Sequence, residues 1–275
     1  KSYPLKTFAL GFGAKIDETA QAQKVSSFLK TNHGKYLITK KDLKYLPQIV
    51  SFLDEPIGDP IIMAYFWLAK FARKKVKVVL TGDGADEIFG GYIHHLGIYW
   101  KEKLSKIVSP FLLATLVSIL PSKIIDRIFP YPASIGSTGK QRLVHFLRAS
   151  SAPENFLAFA NLFSNEDKKR LYSPWLKSRL KGKKTINQEI EEEFKREKGD
   201  VLTQLFIRDL KYWLPDYILL MTDRLSMANG LEARVPYLDY RLVEFALSLP
   251  SSFKINRGQN KLILRRAMAG ILPPE

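Results

Sequence analysis

Val76-Lys77-Val78-Val79-Leu80-Thr81-Gly82-Asp83-Gly84-Ala85-Asp86-Glu87-Ile88-Phe89-Gly90-Gly91-Tyr92 runs from a β-branched apolar stretch into a glycine-rich turn that carries several acids. Val76–Leu80 is the strongest strand signal in the chain. A glycine turn at the C-terminal end of a parallel strand is where ligands bind in open α/β sheets. Glycines let backbone amides approach phosphate oxygens, and nearby acids can hold the magnesium that accompanies ATP. Spacing alone is equally compatible with a tight strand-to-helix turn whose acids are solvated.

Upstream, strand and helix signals alternate. Thr7-Phe8-Ala9-Leu10-Gly11-Phe12 is a short apolar run of the kind buried in parallel sheets. Asp17 is placed to cap a helix from about Glu18 to Lys30, and Lys35–Thr39 is a second strand candidate. Asp59-Pro60 opens another helix, which ends in the basic turn Arg73-Lys74-Lys75. Strands separated by helical segments imply a parallel sheet with right-handed crossovers.

Downstream of Tyr92 the pattern predicts helices and no strand. Ser164-Asn165-Glu166-Asp167 resembles a capping box, and Ile186, Ile190 and Phe194 recur at helical spacing. A helix over Asp200–Trp213 is expected to stop before Pro215, and another runs from Asp216 to Asn229 with Gly230 as its stop. Residues 1–92 thus form an α/β part and residues 93–275 a mainly helical part. Two further glycine patterns fail as phosphate loops. Gly11-Phe12-Gly13 has Ile16 in place of a third glycine, and Gly136-Ser137-Thr138-Gly139-Lys140 is preceded by Ser134 and followed by Gln141. Both read as ordinary turns outside a strand-to-helix setting.

Composition narrows the classes. The 275 residues are 46% hydrophobic, enough for a substantial core. The chain has no cysteine, which excludes disulfides, thiolate zinc sites and a cysteine nucleophile, and its four histidines have no metal-ligand spacing. The longest apolar candidate, Phe111–Leu120, is interrupted by Thr115 and Ser118 and is far below the about 18 residues of a membrane span. It reads as a buried helix. No signal peptide is visible, so a cytoplasmic enzyme or binding protein is expected. The net charge of +16 is compatible with polyanions. Its dispersed lysines, without interleaved aromatics, read as a solvated surface and not as a specific nucleic-acid site.

A second informative stretch is Met221-Thr222-Asp223-Arg224-Leu225-Ser226-Met227-Ala228-Asn229-Gly230-Leu231-Glu232-Ala233-Arg234-Val235-Pro236-Tyr237-Leu238-Asp239. Asp223, Arg224, Glu232 and Arg234 sit among apolar residues, which predicts a buried ion-pair network. Lys261 opens a segment with a basic face.

Together these stretches resemble the synthetase domain of the glutamine-dependent asparagine synthetase family. Thr81–Tyr92 is similar to its S-G-(E/D)-G-(A/G/S)-D-E-(L/I/V)-F-G-G-Y signature, and Asp223–Asp239 to its D-R-x-S-M-A-x-G-L-E-x-R-V-P-(F/Y)-L-D. Thr7–Phe12 with Asp17-Glu18, Asp54-Glu55-Pro56 and Gly258–Leu272 follow in the family's order. The resemblance implies a doubly wound parallel sheet of the adenine-nucleotide hydrolase-like (ATP-pyrophosphatase) type with a mostly helical extension. It implies ATP and Mg2+ as cofactors and an acyl-adenylate reaction on an aspartate-like substrate. Ammonia would come from a glutaminase domain in cis or trans, and a homodimer is compatible with it.

The resemblance casts Leu10, Thr81, Gly82 and Gly84 as nucleotide-contacting residues and Asp86 as a magnesium ligand. Asp83 falls at the acidic position linked to the activated intermediate, and Lys261 at the lysine that stabilises departing pyrophosphate. Arg224 is cast as a holder of substrate carboxylate. The family's S-G-G-x-D-S loop does not occur in the sequence, so a chain truncated at both ends is expected. The same motifs leave open a β-lactam or peptide-macrolactam synthetase, or a catalytically inert fragment.

Overall fold

The first apolar run forms strand β1 (Lys6–Gly11), followed by helix α1 (Thr19–Leu29) and strand β2 (Asn32–Leu37). β1 and β2 pair in parallel, with Lys6 opposite Asn32 and Gly11 opposite Leu37. These elements come from a computed structural model that describes residues 4–14, 17–128, 136–160, 163 and 165–273. Asp17 does not cap α1, whose N-cap is Glu18 without a side-chain bond. Its carboxylate instead accepts the backbone N–H groups of Phe12, Gly13 and Ala14, at 2.6–3.2 Å. The Gly11-Phe12-Gly13 turn therefore does lie between a strand and a helix, contrary to expectation.

A capping box of Thr39 and Asp42 starts a 3-10 turn over Lys40–Tyr45, which leads into α2 (Leu46–Ser51). Asp59 accepts the Ile61 N–H at 2.8 Å just before α3 (Ile62–Arg73). α3 buries Ile62, Met63, Phe66, Trp67, Ala69 and Ala72 on one side, as helical periodicity requires. The chain then enters β3 (Val78–Leu80) and the short α4 (Ala85–Phe89).

The chain divides into two compact units, one of residues 1–91, 207–254 and 261–275, the other of residues 92–206 and 255–260. The second unit is helical throughout its described elements. It contains α5 (Ile93–Leu104), α6 (Pro110–Ile119), α7 (Ser122–Ile128), α8 (Gly136–Arg148), α9 (Ala152–Ala160), α10 (Asn165–Leu171), α11 (Pro174–Leu180) and α12 (Ile186–Phe194). α13 (Val201–Arg208) leads out of it. The Gly136–Lys140 pattern is the first turn of a helix and not a loop. The Ser164 cap expected for α10 lies outside the described residues.

α6 forms where the apolar run predicted a buried helix, yet only Ala114 is fully buried, and Phe111 and Ile119 are 66% and 75% exposed. It packs against α8 through its other side. Among the described residues, no helix is long and apolar enough to cross a membrane. The firmest polar tie in this unit is Lys101 on α5. Its ammonium donates to the carbonyls of Phe146 and Ala149 at the end of α8, at 2.5 and 2.6 Å, and to Asn155 Oδ1 at 2.7 Å. A cation at a helix C-terminus also suits the dipole.

Two further expectations give way in the returning part of the first unit. No stop occurs before Pro215: a π-helical segment runs from Asp209 to Leu219 straight through it, into α14 (Leu220–Met227). Proline has no N–H and its ring collides with the carbonyl four residues back, and a π turn displaces that carbonyl. Beyond Gly230, which has a φ of 66°, a strand appears where none was predicted. This β4 (Glu232–Arg234) pairs in parallel with β3, Val78 opposite Glu232 and Leu80 opposite Arg234. Three residues are too few to show a period, which is why the sequence hid it. The unit closes with a 3-10 turn (Pro236–Leu238), α15 (Tyr240–Ser248), α16 (Ser251–Lys254) and α17 (Leu262–Ala267).

Three apolar clusters hold this unit. One centres on Ile49, Leu53, Phe66, Trp67, Met221 and Leu225. A second joins Ala69, Ala72 and Leu231 with Phe8, Val76 and Val79, so α3 packs on both strand pairs. The third gathers Ile88, Phe89 and Ala246. The buried ion-pair network expected of Asp223, Arg224, Glu232 and Arg234 is not there, because all four are exposed. Among the described residues, Glu232 and Arg234 pair only with each other, at 2.7 Å, two residues apart on β4 and therefore on the same side of the strand.

Two stability outcomes follow from these contacts. Lys101→Met should leave three acceptors without their donor and lower the urea midpoint, at a cost of about 3 kcal/mol; an unchanged midpoint would show that water replaces the ammonium. Glu232→Ala should shift stability by no more than about 0.5 kcal/mol, as for other exposed pairs, and a clear fall in its melting temperature would contradict this.

Candidate active site

The glycine turn is built on β3. Thr81 N–H still bonds the Arg234 carbonyl at 2.9 Å, so the strand pairing continues up to the turn. Gly84 then adopts a φ of 92° as the N-cap of α4, and a Cβ there would collide with Leu238. Only glycine suits that backbone and that neighbour. Gly91 is required for a different reason. A Cβ at this position would occupy the space of the Asp86 carboxylate and the Lys261 side chain.

Those two side chains form an ion pair, Lys261 Nζ to Asp86 Oδ1 at 2.9 Å, with 27% and 36% of each side chain exposed. Lys261 is the N-cap of α17 and sits in the left-handed region, with a φ of 49°. A non-glycine residue there costs of order 1 kcal/mol, and such outliers cluster at functional sites. Lys261 thus has a defined partner, although a basic segment start of this kind also suits a solvated surface.

Asp83 is held from two directions. Thr81 Oγ1 donates to its Oδ2 at 2.9 Å, and Thr222 Oγ1, from α14, donates to the same oxygen at 2.9 Å. Thr222 is buried, and Tyr65 of α3 lies close to it. Burial and then the charge of Asp83 push the Tyr65 phenol up to about 12, against the lowering effect of the Thr222 hydroxyl. Nearby, Tyr217 donates to Asp59 at 2.5 Å and is raised above its ordinary value by burial and by that bond.

The structure brings Thr81 to Asp83 and Asp86 to Lys261, within one turn. Gly82 is exposed and has room for a further atom beside it. Arg224 instead pairs with Asp54 at 3.2 Å, with both side chains exposed. Leu10 lies on β1 and packs against the cluster of Ile49 and Trp67. Neither forms a hydrogen bond or ion pair with the side chain of Asp83 or Asp86 among the described residues. Sequence reasoning passed over Thr222. Met221, Thr222, Leu225 and Ser226 recur at helical spacing and are buried on one face of α14, a pattern that the charges of Asp223 and Arg224 beside them obscure.

No cluster of three potential metal ligands surrounds Asp86 among the described residues. A single carboxylate beside open turn backbone fits a Mg2+ that arrives with nucleotide phosphates, because that ion commonly takes one or two carboxylates and keeps its remaining sites for phosphate and water.

Comparison with known proteins places this geometry in a family. The asparagine synthase family model matches residues 1–275. Asparagine synthetase [glutamine-hydrolyzing] 1 of Bacillus subtilis is 32% identical over 98% of this chain and 40% of its own length. A putative asparagine synthetase of Mycobacterium bovis is 36% identical over 83% of the chain and 32% of its own length. The asparagine synthetase of Gallus gallus is 36% identical over 99% of the chain and 32% of its own length. The chain therefore spans 32–40% of the length of these three relatives, and over that span it belongs to the asparagine synthase family.

Proposed function

We propose that the protein carries out ATP-dependent amide formation through an acyl-adenylate, with aspartate as the acid and ammonia as the amine. The observation that carries this reading is the Asp86–Lys261 pair beside the glycine turn at the end of a parallel strand. In the first step an oxygen of the substrate's side-chain carboxylate bonds to the α-phosphorus of ATP while the bond to the β-phosphate oxygen breaks. In the second, ammonia bonds to the activated carbonyl carbon, loses a proton, and AMP leaves with the acyl oxygen.

The chain's own residues have distinct tasks in this scheme. The backbone of Thr81, Gly82 and Gly84 borders the nucleotide, with Leu10 on its apolar side. Asp86 carries the metal that accompanies ATP, and Mg2+ when bound neutralises phosphate charge. Lys261 supplies a compact cation to the departing pyrophosphate, whose charge grows as the bond breaks. Asp83 faces the activated intermediate, and Arg224 holds a substrate carboxylate. Glutamine serves as the ammonia source through a glutaminase domain in cis or trans.

The doubly wound sheet belongs to the same proposal. Two features support it: both parallel pairs pack on α3, and Leu80 is 73% exposed although parallel strands are normally covered on both faces. Both pairs then belong to one larger sheet.

The test is single-turnover pyrophosphate release by the intact protein with aspartate and ATP. Lys261→Ala should lose nearly all of it, and Lys261→Arg most of it, because a planar fork replaces a compact ammonium poorly at one point. Asp86→Asn should lose release without loss of fold. Wild-type rates in all three would end this reading of the site.

A further inference from the structure

We infer that Thr222 is a positioning residue for Asp83, its hydroxyl orienting the carboxylate from α14; this rests on the role proposed above for Asp83. Asp83 and Thr222 are 139 residues apart in sequence, and the contact between them exists only because α14 packs on α3 and β4 pairs with β3. The bond has a fixed direction. A carboxylate can only accept, so the single proton of Thr222 goes to Asp83 Oδ2.

The arrangement has a consequence for the reactive group. Both hydroxyls, Thr81 and Thr222, bond the same oxygen of Asp83. That fixes the rotation of the carboxylate about its last bond, and no described residue bonds Oδ1. One oxygen is thus committed to the protein and the other is presented in a set direction. Thr81 lies in the same turn as Asp83 and moves with it. Thr222 belongs to α14 and anchors the carboxylate to the body of the unit. Small errors in such placement are expensive in rate although the reacting group is present.

The experiment uses Thr222→Val, which keeps the shape and removes the hydroxyl, and Thr222→Ser, which keeps the hydroxyl. Pyrophosphate release by the intact protein should slow by about 10–100-fold in Thr222→Val, the range seen when an orienting partner of a functional ligand is removed. ATP affinity by calorimetry should be unchanged, a loss in rate and not in binding. Thr222→Ser should restore most of the rate. In an Asp83→Asn background Thr222→Val should add nothing, since both changes act through one carboxylate. Wild-type release in Thr222→Val, or an equal loss in both backgrounds, overturns the positioning role while the site reading stands. Wild-type release in Asp83→Asn alone overturns both.

Discussion

The parallel pairing of Val78–Leu80 with Glu232–Arg234 is the constraint on which the rest of the first unit depends. It joins the two motif-bearing stretches, which are otherwise far apart along the chain, and it does so through backbone bonds. Thr81 extends the ladder by one more bond, so the glycine turn starts from a fixed point. α14 ends directly before β4, and its buried face meets α3. The same pairing therefore sets where Thr222 arrives relative to Asp83. Were the register to slip by one residue, alternate side chains of β4 would change face and Leu231 would leave the cluster it shares with Ala69 and Ala72.

Local signals were enough for most elements of the first ninety or so residues, because apolar periodicity there agrees with the tertiary structure, although the cap expected of Asp17 does not form. β1, α3, β3 and the turn after it are all legible on that basis. Failures concentrate where local rules compete with packing. Pro215 should end a helix by its own chemistry, yet the chain absorbs it in a π-helical segment and continues to α14. β4 has too few residues to announce itself. The apolar character of α6 predicted burial, whereas Phe111 and Ile119 lie on its outer face. Composition reports a residue's preference, and only the packing partner decides whether that preference is met.

The candidate site divides the same way. The Thr81–Tyr92 turn can be read from sequence because its glycines answer to backbone needs, at Gly84 to a positive φ and at Gly91 to the space taken by a neighbouring ion pair. Lys261 could be singled out only by resemblance, since its left-handed backbone and its partner Asp86 are invisible in sequence. Thr222 escaped because a hydroxyl on an apolar helix face has no pattern of its own. The charges that drew attention in the second motif proved to be exposed local pairs: Arg224 with Asp54, and Glu232 with Arg234.

Partial exposure of the Asp86–Lys261 pair bears on how such a site could work. A fully buried pair would be costly to separate, because each charge would be left in a poor medium. A fully exposed one would be too loosely held to define a geometry. With about a third of each side chain open to solvent, the pair keeps both groups in place while water can take over either charge. In the proposed reaction the two must part, Asp86 toward a cation and Lys261 toward phosphate. Each then exchanges one opposite charge for another, so the opening costs little net electrostatic energy. Gly91 provides the room for that exchange, and the left-handed backbone of Lys261 aims the lysine from the start of α17.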